Sequence, residues 1–394
     1  MDSRCKMYDF NELVDRHHSS SVKYEEMDLK FGTNQLMPFW IADMEIKSPD
    51  FLIDALQKRL NHGIFGYSKR MPGYYDAISQ WLLKRHGLAA QPENIEYAPG
   101  VVFALNMMIR LFTSPGDKIM IQTPVYYPFF GIIQGNGRVI SENPLILDDG
   151  KYRMDFADLR EKARDEQCKM LILCSPHNPV GRVWTEEELR ELGEICIANH
   201  VLVVSDEIHF DMVFKGHKHI PFASISEAFR KNSITCTAPS KTFNIAGLHS
   251  AYTIIYNAER MEKYKAELSL LDLNRSNAFS QEVTQAVYEK GHQWVDELVE
   301  HIEGNMKYAY DFITKNIEEI TPYKMEGTYL MWLDCRKLAP SAEEIDQRFI
   351  EKAGLALDSG YWFGDSGKGF MRLNLACPRS MLETAMHKLL KLKI

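Results

Sequence analysis

The apolar positions of this chain gather into short β-branched or aliphatic runs separated by amphipathic stretches. Four such runs, at 118–122, 170–174, 201–205 and 233–237, alternate with helical text. Strands recurring at this spacing, with helices between them, predict a mostly parallel sheet flanked by helices. One helix start is explicit. Thr185 precedes Glu186, Glu187 and Glu188, which makes Thr185 an N-cap and Glu188 its capping-box partner. The three glutamates then read as a solvated first turn that favours the helix dipole, not as a metal site. From about residue 290 the pattern changes to long helices, followed by short strands near 330–333 and 370–375. The expectation is an α/β protein with a large domain over 46–289. Residues 290–394, completed by 1–45, form a smaller α/β domain.

Composition narrows the function more than the fold. The 394 residues are 45% hydrophobic and 25% charged, as in soluble globular proteins, and are long for one compact core. A net charge of -8, with no basic cluster interleaved with aromatics, argues against nucleic acid as a partner. Apolar runs such as 201–204 are far too short to span a membrane. The polar start at 1–6 shows no signal-peptide core, and seven scattered cysteines without a C-x-x-C pair read as reduced thiols of a cytoplasmic protein.

Chemistry collects where the strands end. Open α/β sheets bind ligands beyond the carboxyl ends of their strands. Tyr126 follows the first run, Asn178 the second, Asp206 and His209 the third, and Ser240-Lys241 the fourth. A ring, an amide, a carboxylate and a lysine on one rim suit a pyridine cofactor that carries an aldehyde and a phosphate. Lys241 sits among small residues, where desolvation disfavours its charge and makes the amine nucleophilic enough to form an imine. Asp206 suits the ring nitrogen, Tyr126 the ring face and Asn178 the phenolic oxygen. Gly100-Val101-Val102 opens a helical stretch, whose first N–H groups make a phosphate seat.

Taken in order, Gly100-Val101-Val102, Thr123-Pro124-Val125-Tyr126, His177-Asn178-Pro179-Val180-Gly181, Ser205-Asp206-Glu207-Ile208-His209 and Ser240-Lys241-Thr242-Phe243-Asn244 resemble the fold-type I pyridoxal-phosphate enzymes. Pro38-Phe39-Trp40-Ile41-Ala42-Asp43-Met44, Gly327-Thr328-Tyr329 and Met371-Arg372-Leu373-Asn374 are most similar to the cystathionine β-lyase-like carbon–sulfur lyases within them. The resemblance spans about residues 38 to 380. It implies pyridoxal 5'-phosphate bonded through Lys241, which later moves the Cα proton. It also implies Asp206 at the pyridine nitrogen, Asn178 at the phenolic oxygen, Tyr126 stacking, and Val101, Val102 and Ser240 at the phosphate. Tyr67 matches a tyrosine that reaches the neighbouring subunit's site, so a homodimer with shared active sites is implied. Arg372 matches the arginine that clamps the substrate carboxylate beside the Ala42 backbone, a task suited to a forked guanidinium.

Three departures stand out. His209 occupies a place where many aminotransferases carry a tyrosine, and His249 one where relatives place a phosphate-binding arginine. Glu45 replaces the aspartate usual in this branch. Elsewhere, His217 and His219 lack acidic or cysteine neighbours for a metal site, and His17-His18 reads as a solvated turn. Gly135-Asn136-Gly137 reads as a turn between strands, and Gly367-Lys368-Gly369 lacks the remaining residues of a P-loop. A Ser240–Lys241 hydrolase pair is disfavoured, because adjacent strand residues point to opposite faces unless the turn redirects them. The implied reaction is α,β-elimination from an amino acid with a thioether at Cβ, giving pyruvate, ammonia and a thiol. The alternatives are an aminotransferase using the same cofactor residues, or a regulator-binding protein that retains the pocket.

Overall fold

A computed structural model describes residues 7–393; residues 1–6, with the polar start and Cys5, and residue 394 lie outside the described residues. Among the described residues, seven strands form the main sheet: β1 Ile95–Ala98, β2 Lys118–Ile121, β3 Val139–Glu142, β4 Cys168–Cys174, β5 Leu202–Asp206, β6 Ser233–Thr237 and β7 Ala251–Ile254. Their spatial order is β1-β7-β6-β5-β4-β2-β3. The strands from β3 to β6 in that row pair in parallel, and β7 runs antiparallel to both β6 and β1. The four runs expected from the apolar pattern are the adjacent strands β2, β4, β5 and β6.

Helices cover both faces of this sheet, and side chains alternate between them as the strand period of two requires. On β4, Met170 and Ile172 pack with Ala104, Leu105 and Met108 of the helix Val101–Phe112. Leu171 and Leu173 point the other way, to Leu189 and Leu192 of the helix Glu186–Ala198. That second helix begins as expected. Glu188 N–H donates to Thr185 Oγ1 at 3.2 Å, and Thr185 N–H donates to Glu188 Oε2 at 2.9 Å. One turn differs from expectation. Residues 135–137 join a helix, Pro128–Gly135, to β3 rather than strand to strand. The apolar residues Phe129 and Ile133 lie one helical turn apart and are both buried against the main sheet, which favours helix there.

A second sheet, ordered β8-β9-β11-β10, is antiparallel and holds β8 Thr321–Pro322, β9 Leu330–Asp334, β10 Asp358–Ser359 and β11 Phe370–Asn374. The helix His292–Asn316 precedes it. The N-terminal segment returns to this part of the chain, where Met37–Pro38 pairs in parallel with Leu355–Ala356. No helix among the described residues is long and apolar enough to cross a membrane.

Candidate active site

The carboxyl ends of β4, β5 and β6 and the start of the helix Val101–Phe112 surround a cavity of ≈ 220 Å³. Ala42, Val101, Val102, Tyr126, Asn178, Asp206, His209, Ser240 and Lys241 all line it. Wider depressions lie elsewhere, including one of ≈ 350 Å³ beside Arg182 and Glu326. There Arg182 and Lys151 each meet Glu326 at 2.8 Å.

Lys241 does not lie on a strand. It belongs to a helical turn, Ser240–Phe243, directly after β6. The turn redirects the two residues, so that Ser240 and Lys241 line the same cavity. Lys241 Nζ donates to the Ala42 carbonyl at 2.5 Å. Burial, with Arg372 nearby, draws the Lys241 ammonium down to about 8 against the pull of Asp43. Asp206, the last residue of β5, accepts the Ile208 N–H at 3.2 Å, and the described residues offer it no ion pair. Burial pushes its carboxyl up to about 7. A buried acid in that condition calls for a cationic partner.

The remaining lining carries open hydrogen-bonding capacity. His209 is buried, its Nδ1 has no partner among the described residues, and burial holds its pKa well below the ordinary imidazole value. The neutral ring meets Tyr329 edge-on with centroids 5.4 Å apart. Gly100 caps the helix Val101–Phe112 and lines the cavity with Val101 and Val102, so the helix begins there with N–H groups that have no intrahelical partner. His249 has a left-handed backbone, φ 50, and its Nδ1 lies 3.0 Å from the Pro99 carbonyl. These features fit pyridoxal phosphate: an amine for the aldehyde, an acid for the ring nitrogen, and donors for the phosphate.

Arg372, on β11, is buried and joins this site through Asn178, whose Oδ1 accepts from Nη1 at 2.9 Å. Its Nη2 also donates to the Trp40 carbonyl at 3.3 Å. Tyr67 stands apart. It is 94% exposed, faces the Arg275 guanidinium at 5.3 Å, and does not line the cavity of its own chain.

Several contacts escaped the sequence reading. Ser250 lines the cavity with a buried hydroxyl that has no partner among the described residues. Tyr329 Oη donates to the Ala42 carbonyl at 3.0 Å, beside Lys241. Glu45 anchors an ion cluster, with Arg16 at 2.8 Å, Lys23 at 2.9 Å and the Tyr24 hydroxyl at 2.9 Å. Asp43 joins it through Arg16 at 2.7 Å and Lys23 at 3.2 Å. His219 is tied to Glu207 at 3.0 Å, and His17 is exposed beside Asp15.

The sequence model of aminotransferase class I and II matches residues 31–389. The chain belongs to this family. Its relatives within the family favour one branch. The chain is 42% identical to cystathionine beta-lyase PatB of Bacillus subtilis over 380 residues, 96% of this chain and 98% of that one. Cystalysin of Treponema denticola, whose crystal structure contains pyridoxal 5'-phosphate, superposes with a TM-score of 0.95 at 37% identity, covering 98% of each chain. The pyridoxal-phosphate-bound C-S lyase of Staphylococcus hominis gives a TM-score of 0.92 at 33% identity, again over 98% of each chain. The fold and family expected from the ordered motifs are thereby borne out.

Proposed function

We propose that this family member is a pyridoxal-phosphate-dependent carbon–sulfur β-lyase. It takes amino acids with a thioether at Cβ and releases pyruvate, ammonia and a thiol. The observation that carries the reading is a dry lysine and a buried acid without an ion pair among the described residues, Lys241 and Asp206, lining one small cavity. Full-length similarity to a cystathionine β-lyase supports elimination over transamination.

The cofactor, when bound, supplies an aldehyde for the substrate amine and an electron-withdrawing ring that stabilises negative charge at Cα. Lys241 would bond the aldehyde and Asp206 would hold the proton on the ring nitrogen. The ionised carboxylate then gains the cation that its burial demands. Tyr126 would cover the ring face, and the Asn178 amide nitrogen would be left to donate to the phenolic oxygen because its oxygen serves Arg372. The N–H groups of Val101 and Val102, with the hydroxyls of Ser240 and Ser250, would receive the phosphate. His209 borders the ring as a neutral imidazole.

Lys241, with its amine free, would be the base that takes the Cα proton of the substrate. With a value near 8, about a tenth of it is neutral at pH 7, far more than for a lysine at 10.5. The Ala42 carbonyl and the Tyr329 hydroxyl that meets it fix the direction of Nζ. Arg372 receives the substrate carboxylate, with Asn178 tying it to the cofactor side.

The substrate is a small-molecule amino-acid thioether. Residues 46–289 act as the cofactor-binding domain, and 1–45 with 290–394 as the smaller one, a division supported by the pairing of Met37–Pro38 with Leu355–Ala356. A homodimer brings Tyr67 to the partner's cavity, which its exposure on its own chain supports. Cytoplasmic placement is supported by six buried free cysteines among the described residues. The reading is tested with Lys241→Ala. The variant loses both the absorbance of covalently held cofactor and pyruvate release from cystathionine. A variant that keeps both excludes the assignment.

A further inference from the structure

The guanidinium read as the carboxylate clamp is already occupied by a carboxylate of its own chain. Asp358 and Arg372 are direct cross-strand partners on β10 and β11, 0% and 2% exposed. Arg372 Nη2 donates to Asp358 Oδ2 and to the Trp40 carbonyl, and Nη1 donates to Asn178 Oδ1. Arg372 Nε and Asp358 Oδ1 have no partner among the described residues. A guanidinium offers five N–H donors, and three of these are engaged within the chain. The edge that presents Nη1 and Nη2 together is therefore spoken for. A substrate carboxylate arriving there meets a guanidinium whose charge is balanced, and it meets the charge of Asp358 as well.

We propose that Asp358 is the resident counter-ion of Arg372, a positioning residue that aims the guanidinium before substrate arrives and weakens its hold on carboxylates. The inference rests on the reading of Arg372 as the carboxylate clamp. Two physical demands meet at this pair. A buried guanidinium without an anion is strongly disfavoured, so Asp358 stabilises the unliganded fold. The same negative charge, in a site with little water, opposes a second carboxylate beside it. A bare carboxylate therefore binds poorly, and a ligand needs its amine as a second anchor. Asp358 thus keeps simple acids too weakly bound to occupy the site, while an amino acid makes up the loss with its amine.

The test uses cofactor-loaded protein and propionate, which has a carboxylate and no amine. Propionate dissociation constants are measured by calorimetry, with melting temperatures alongside, for wild type, Asp358→Asn, Arg372→Lys and the double variant. Asp358→Asn should melt lower than wild type without propionate. It should bind propionate about tenfold tighter or more, the scale on which one adjacent charge shifts an ionic equilibrium, and show a larger melting rise on propionate. Its KM for cystathionine should fall while kcat does not rise. In the Arg372→Lys background the Asn substitution should leave the propionate constant unchanged. Asp358→Ser, which removes the charge with less bulk, carries the same comparison if the Asn variant does not fold with cofactor. Propionate affinity equal to or weaker than wild type in the charge-free variants, with Arg372→Lys weakened, overturns the proposal alone. Undiminished propionate binding by Arg372→Lys overturns the clamp reading beneath it.

Discussion

Replacing Asp206 by Asn removes the negative charge that the main sheet buries at the end of β5. In the cofactor-free protein, burial moves this carboxyl from 3.8 to about 7. An acid raised in this way is least unfavourable when protonated. Its contribution to stability is therefore best below pH 3.8, falls as the pH rises toward 7, and is worst above that. At ~1.4 kcal/mol per pH unit, the ionised carboxylate costs about 4 kcal/mol at pH 8. Water entering the cavity screens part of the charge, so about 2 to 4 kcal/mol is expected. The cofactor-free Asn variant should then be more stable than wild type by that amount at pH 8 and equal to it near pH 4. Loading the cofactor should invert the order. Wild type gains an ion pair, and removing one partner of a buried pair costs about 3–5 kcal/mol. Urea unfolding of both proteins at several pH values, with and without cofactor, measures all of this. Cofactor-free wild type at least as stable as the variant at pH 8 would refute the reasoning.

The depressed value of Lys241 predicts its reactivity in the cofactor-free protein. Reloading with pyridoxal phosphate should slow about tenfold per pH unit below about 8, and a midpoint near 10 in stopped-flow absorbance would contradict this. Mixed dimers test the shared site. Lys241→Ala and Tyr67→Ala homodimers should each be impaired, whereas a purified heterodimer of the two regains one intact site and about half the wild-type turnover. A heterodimer no better than its parents argues against Tyr67 crossing between subunits.

Much of the site was legible because β2, β4, β5 and β6 are buried on both faces and read as unbroken apolar runs, with the polar residues placed just after them. The outer strands were not. Exposed Val139 and Glu142 leave β3 without an apolar signature, and β7 is short and antiparallel. The helical form of the turn carrying Lys241 was not legible, because Ser240–Phe243 is only four residues long, too few to show a helical period. Asp358 was invisible for a different reason. Its meaning is its cross-strand register with Arg372, which depends on where the chain between them turns. Likewise Glu45 is explained only by Arg16, Lys23 and Tyr24, brought to it by the path of the N-terminal segment. Ser250 belongs to no motif, and only the approach of β7 to the cavity makes its hydroxyl count.

The central claim is that a thiol leaves from Cβ after Lys241 removes the Cα proton. Purified cofactor-loaded protein incubated with cystathionine and no 2-oxo acid measures this directly, by following pyruvate and free thiol together. The account predicts both products in equal amounts over many turnovers, with no rise in rate when a 2-oxo acid is added. Turnover that depends strictly on the added oxo acid, with the thioether left intact, would contradict it.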